Sequence, residues 1–192
     1  MVKFVLIRPG STDYNKQGRI QGTLDVPLSA EGIAEIDSAV AQLEAIDMDT
    51  IYFAPCQAAE ETARKIAAAI GLKVKKADQL CNLDHGLWQG MLVDEVKRKH
   101  PKIYKQWQDH PDSICPPEGE MLIDARVRIQ AVINKLLKRH KKGVVGLVVP
   151  EPLASMVVGY LEQEKVGDLW KATAQAGIWQ VIDVEPQSLA AS

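Results

Sequence analysis

Four things are scarce in this sequence of 192 residues: long apolar runs, paired cysteines, net charge and repetition. No apolar run approaches the ~20 residues of a membrane span. The first such stretch, Phe4 to Ile7, is also far shorter than the apolar region of a secretory signal, and it ends at Arg8. No membrane attachment is expected, and the cytoplasm is the expected location. Cys56, Cys81 and Cys115 stand far apart, with no CxxC and no even-numbered set for disulfides. That usage fits a reducing compartment, with buried or incidental thiols in place of redox or metal-binding ones. Lys and Arg total 23 against 25 for Asp and Glu, so a net charge of −2 recruits neither nucleic acid nor an anionic membrane. Any electropositive site must be local. Neither a metal nor an organic cofactor is expected. With no repeat, low-complexity tract or linker, the chain reads as one domain over residues 1–192, inside the roughly 100–200 residues common for a domain.

Strand-like runs rich in Val and Ile occur at Val2 to Ile7, Thr50 to Tyr52, Val144 to Val149 and Ile178 to Val184. Helical patterns separate them. Ser29 is placed to cap a helix carrying Ile33, Ile36, Val40 and Leu43, and Ala58 to Ile70 forms a second helix that Gly71 ends. Between Met91 and Asp109, Pro101 divides a charged segment into two short helices. Pro111, Pro116, Pro117 and Gly119 mark a loop. Leu122 to Arg139 then reads as a long amphipathic helix whose buried stripe is Ile123, Val127, Ile129, Val132, Ile133, Leu136 and Leu137. Its basic end, Lys138 to Lys142, suits the negative end of the helix dipole. Trp88, Trp107, Trp170 and Trp179 are expected to pack the core and flanking helices. Alternating strands and helices imply a three-layer α/β/α fold around a mostly parallel sheet.

The opening strand stops at Arg8-Pro9-Gly10, a turn that presents side chains at the carboxyl edge of such a sheet, where open α/β folds place ligands. With Thr12 and Asn15 it resembles the Arg-His-Gly signature of the histidine phosphatase superfamily, the phosphoglycerate-mutase-like proteins. The likeness extends in order along nearly the whole chain. Gly18-Arg19-Ile20-Gln21-Gly22 with Asp25, Pro27, Leu28 and Gly32 match the next block, and Tyr52 to Pro55 with Glu61-Thr62-Ala63 the strand-to-helix segment. Leu80, Gly86, Trp88 and Gly90, then Gly119-Glu120, then Val148 to Pro152 follow. The resemblance implies the phosphoglycerate-mutase-like fold and a cleft at the carboxyl edge of its sheet.

In that family a neutral imidazole attacks phosphorus, cations hold the phosphoryl oxygens, and a carboxylic acid protonates the leaving group. The resemblance sets Pro9 at the nucleophile, Ala58 at the clamping Arg, Asn82 at the acid and Glu151 at the second His. Of the cationic core only Arg8 remains. A carboxylate ~4 Å from a bound phosphate opposes it by ~4 kcal/mol at an effective dielectric of ~20. The expectation is therefore that Glu151 replaces the phosphate and pairs with Arg8, with a two-bond fork as the strongest form. Pro150 and Pro152 stiffen the turn around it.

This leads to a noncatalytic member of the family, whose cleft binds a small polar ligand or a protein partner through Arg8, Asn15, Gln21, Gly22 and Glu151, or which acts as a scaffold. The alternative is a divergent phosphatase or phosphomutase acting on a small phosphorylated metabolite. It would use a relocated residue, either Glu151 or His85, three residues after Asn82, the latter as nucleophile or base oriented by Asp84. A plainer reading lets His85 fill an aromatic position beside the Gly86 turn. Ser11 and Thr12 are read as turn caps, and Asn15 and Gly22 are open to a role in fixing the first loop.

Overall fold

A computed structural model describes residues 1–172 and 175–185. Five strands form one sheet: β1 (Val2–Ile7), β2 (Thr50–Phe53), β3 (Val74–Lys76), β4 (Gly143–Val148) and β5 (Trp179–Val184), in the order β3-β2-β4-β1-β5. β1 to β4 are parallel neighbours; β5 lies antiparallel beside β1 at one edge. Around the sheet run α1 (Asp13–Gln17), α2 (Ala30–Leu43), α3 (Gln57–Ile70), α4 (Val93–Lys99), α5 (Pro101–Asp109), α6 (Leu122–Arg139), α7 (Leu153–Glu162) and α8 (Leu169–Ala172). The fold is a three-layer α/β/α sandwich, in which α2 packs against α3 and α6 against α7. The inner strands are buried on both faces, as the near-continuous apolar runs of β1, β2 and β4 demand.

The helix ends follow local chemistry. Ser29 Oγ accepts from Gly32 N at 3.1 Å to cap α2, and Gly71, at φ 73°, closes α3 in the left-handed conformation. Pro101 divides the charged segment, standing at the first turn of α5. Two expected stripes are displaced. On α6 the buried face is Leu122, Ala125, Ile129, Val132, Ile133, Leu136 and Leu137, while Ile123 and Val127 are 54% and 62% exposed. On α2 it is Gly32, Ile36, Ala39 and Leu43, with Ile33 exposed. In both helices small residues share the buried face, Ala125 on α6 and Gly32 and Ala39 on α2, and the apolar residues Ile123, Val127 and Ile33 lie outside it. A Cβ on Gly32 would lie 2.1 Å from the Ser11 carbonyl oxygen.

Trp88, Trp107 and Trp170 are buried together, and Trp179 is half-buried. The cysteines are free thiols, and burial pushes Cys56 up to about 11. Among the described residues no helix is long and apolar enough to cross a membrane.

Candidate functional site

The loops that leave the carboxyl ends of β1, β2 and β4 meet in one cleft, whose walls include Pro9, Gly10, Thr12, Asn15, Ala58 and Glu151. Register brings them together: Val149 N donates to Ile7 O at 3.0 Å, and Ala54 N to Val148 O at 2.9 Å. Arg8 is the first residue past β1. Its side chain is 6% exposed and the Glu151 side chain 1% exposed, and Arg8 Nε donates to Glu151 Oε1 at 2.5 Å. The expected fork is not formed. Arg8 Nη1 donates instead to Gln180 Oε1 at 3.3 Å, because β5 sets Gln180 beside Leu6.

Glu151 is further held from its own side. Ser155 N donates to Oε2 at 3.1 Å and Ser155 Oγ to Oε1 at 3.0 Å. The carboxylate thereby takes one of the unpaired donors in the first turn of α7 and faces the positive end of that helix dipole. A buried ion pair is tolerable only when its remaining lone pairs are met in this way.

Asn82, 4% exposed, uses its amide on both sides. Nδ2 donates to Gly22 O at 3.1 Å and to Glu151 O at 2.9 Å, while Oδ1 accepts from Leu83 N at 2.9 Å. A carboxylate in the same place has no hydrogen to give the two carbonyls. The loop bearing Asn82 is fixed in turn by Arg128 of α6, which donates to Gln79 O, Cys81 O and Asn82 O and to both oxygens of Glu120. Ala58 lies buried in the first turn of α3, and Pro9 O accepts from Gly177 N at 2.8 Å. Pro9, Ala58 and Glu151 thus converge on the cleft, and Asn82 reaches it through the Glu151 carbonyl. The space they leave is about 30 Å³, room for about two waters.

Asn15, Gln21 and Gly22 line the cleft, and contacts within and around the loop hold them in place. Thr12 N and Oγ1 each donate to Asn15 Oδ1 at 2.8 Å, and Asn15 N returns a bond to Thr12 Oγ1 at 3.3 Å. Thr12 Oγ1 also lies 3.0 Å from Gln21 Oε1. At Gly22, φ is +56° and a Cβ would fall 2.1 Å from Gln89 Oε1. The turn-capping reading holds for Thr12, which caps α1, and not for Ser11, whose N and Oγ donate to the Glu35 carboxylate on α2.

His85 lines the same cleft and is 1% exposed. Neither ring nitrogen has a hydrogen-bond partner among the described residues, and Asp84 does not orient it. Asp84 Oδ1 instead accepts from Gly86 N at 2.8 Å. The ring packs against Trp107 at 5.7 Å, which matches the aromatic-position reading. Burial pushes its pKa down to about 4, against a smaller upward pull from Asp84, so the imidazole is neutral at pH 7. No group of three or more His, Cys, Asp or Glu among the described residues could hold a metal ion.

The sequence reasoning missed Ser155, Gln180 and Arg128. Ser155 lies in the first turn of α7, a helix whose almost wholly apolar sequence shows no period to read. Gln180 depended on an antiparallel register that local patterns do not carry.

Parallel strands ending in a shared cleft, with an arginine on the first of them and the start of a helix on the second, define a phosphoglycerate-mutase-like α/β protein. The chain belongs to the histidine phosphatase superfamily (branch 1), whose sequence model matches residues 4–191. It is 32% identical over 186 residues to phosphoserine phosphatase 1 of Hydrogenobacter thermophilus, covering 96% of this chain and 88% of that one. The adenosylcobalamin/alpha-ribazole phosphatase of Escherichia coli is 23% identical over 180 residues, covering 93% and 88%. Among solved structures, the mycobacterial glucosyl-3-phosphoglycerate phosphatase complexed with VO3 superposes with a TM-score of 0.83 at 24% identity, covering 94% of this chain and 92% of that one. That last likeness is one of fold.

Proposed function

We propose that this chain is a noncatalytic member of the superfamily whose cleft serves in binding a small polar ligand or a protein partner. The observation that supports this reading is the buried Arg8–Glu151–Ser155 arrangement, in which a carboxylate of the protein engages the arginine that the resemblance assigns to phosphate. Pro9 offers no nucleophile there, and Asn82 no dissociable proton. The test is turnover of p-nitrophenyl phosphate, phosphoserine and phosphoglycerate by the purified protein. No release of phosphate above a buffer control is expected. Joint replacement by Pro9→His, Ala58→Arg, Asn82→Glu and Glu151→His should bring phosphate affinity to the cleft.

One observation favours a second reading, a phosphatase of small phosphorylated metabolites acting through His85. Its neutral imidazole stands at the cleft wall with both nitrogens unpartnered among the described residues, the protonation state a nucleophile or base requires. The names of the relatives, phosphatases of phosphoserine, alpha-ribazole and glucosyl-3-phosphoglycerate, speak for this reading more than for the first. Turnover lost in His85→Ala and kept in Ser11→Ala would decide in its favour.

A further inference from the structure

A second concave surface lies outside the cleft, where α4, α5 and α8 meet. It is a groove of about 510 Å³ whose walls include Lys97, Tyr104, Lys105, Asp168, Trp170 and Lys171. Its floor is rigid. Tyr104 and Trp170 stack with ring centroids 5.0 Å apart and planes 10° from parallel, and Trp170 Nε1 donates to Tyr104 O at 3.2 Å.

Over this floor the charge is one-sided. Lys97, Lys105 and Lys171 are exposed, come from three different helices, and have no carboxylate within ion-pair distance among the described residues. By contrast Lys99, beside Lys97, is neutralised by Glu95 at 2.6 Å. Lys97 Nζ is held 5.6 Å above the Tyr104 ring. Asp168 is the one carboxylate among the residues lining the groove, and it is occupied. Its Oδ1 accepts from Trp170 N at 3.0 Å and Lys171 N at 3.4 Å, and its Oδ2 from Gln108 Nε2 at 2.7 Å. Asp94 borders the adjoining depression, which shares Val93 and Trp170 with the groove and runs past Arg19 and Asn15 toward the cleft. On a chain of net charge −2, the groove therefore carries three cations against one carboxylate already bound to amides.

We infer that this groove binds a linear phosphate anion, with the ammonium groups of Lys97, Lys105 and Lys171 around a chain of two or three phosphates and the Tyr104–Trp170 stack beneath it. Ammonium groups act as compact point charges that suit phosphate oxygens spread along a chain. Three such groups on separate helices favour an extended polyanion over a single phosphate. The same chemistry belongs to inorganic polyphosphate and to a nucleoside triphosphate. This site is independent of the noncatalytic reading of the cleft, because none of the three lysines lines the cleft.

The experiment is calorimetric titration of the full chain with sodium triphosphate and, separately, with ATP at low salt. Parallel titrations use a Lys97→Ala/Lys105→Ala/Lys171→Ala variant and a control that loses equal charge at the end of α6, Lys138→Ala/Lys141→Ala/Lys142→Ala. Saturable binding that weakens at least ~10-fold in the groove variant and stays within ~2-fold in the control is expected. Equal affinity for the two probes assigns the site to the phosphate chain alone, and tighter ATP binding assigns it to a nucleotide. No saturable binding of either probe to the unsubstituted protein, or equal losses in the two variants, overturns the inference.

Discussion

Arg8 Nε and Glu151 Oε1 lie 2.5 Å apart across two parallel strands, between side chains almost wholly withdrawn from solvent. Removing one member leaves the other charged and buried. Arg8→Met and Glu151→Met are therefore each expected to destabilise the protein by about 3–5 kcal/mol, and Arg8→Met/Glu151→Met by much less than the sum of its parts. Urea unfolding of the two single variants and the double variant checks this. Additive losses would mean that the pair contributes no coupling.

Asn82→Asp keeps the shape and exchanges two donated hydrogen bonds, to Gly22 O and Glu151 O, for an anion facing two carbonyls. Each buried group left unsatisfied costs about 1–3 kcal/mol, so the variant should melt well below the parent at pH 7. This environment raises the new carboxyl's pKa in the folded state. The deficit is fully present above that raised value and shrinks as the pH falls and the protonated acid donates again. Thermal melts from pH 8 to pH 5 should show the two proteins converging, and a constant gap would refute the account.

His85 supplies a pH dependence of the parent protein. Its pKa falls from 6.5 in the unfolded chain to about 4 in the fold, so between those values the unfolded state binds more protons. Stability from this group is complete above pH 6.5 and is lost as the pH falls toward 4. At ~1.36 kcal/mol per pH unit, the full effect is about 3 kcal/mol. His85→Phe should remove this component from the stability profile below pH 6.5, and should not destabilise the protein at pH 7. Both follow because the ring nitrogens have no hydrogen-bond partner among the described residues to lose.

Gly86 is expected to resist substitution. It sits at φ +51°, and an added Cβ would meet the Pro117 carbonyl oxygen at 2.0 Å and the Glu118 carbonyl carbon at 2.6 Å. Gly86→Ala combines left-handed strain with a collision against backbone, so a loss above about 2 kcal/mol in denaturant unfolding is expected. The same change at Gly71, which has nothing within 4 Å of a Cβ, should cost less.

The elements written in strong periodicity are legible in the amino-acid sequence: β1, α3, α6 and the break at Pro101. β3 is not, being three residues with two lysines at the sheet edge. Nor is α7, where Leu153, Ala154, Met156, Val157, Gly159 and Leu161 are all buried, so no polar face marks a period. At the cleft, the meeting of Arg8 with Glu151 can be anticipated, since strand order and the sign of the charges require it once the resemblance is accepted. The competition of Gln180 for the same guanidinium cannot, because it arises from the register of the last strand. A role for Asn15 in fixing the first loop is visible as an open alternative, and its bonds with Thr12 emerge only from the geometry.

Asn82 ties two sides of the cleft into one unit. Its amide needs a carbonyl at Gly22 and another at Glu151, and the Glu151 side chain needs Arg8 and Ser155. The set is interlocked, so a lone Asn82→Glu or Glu151→His change strips partners from residues that stay behind. Each such single change therefore weakens the fold at a position other than the one altered, and the cleft behaves as one cooperative unit whose members accept joint replacement more readily than replacement one at a time.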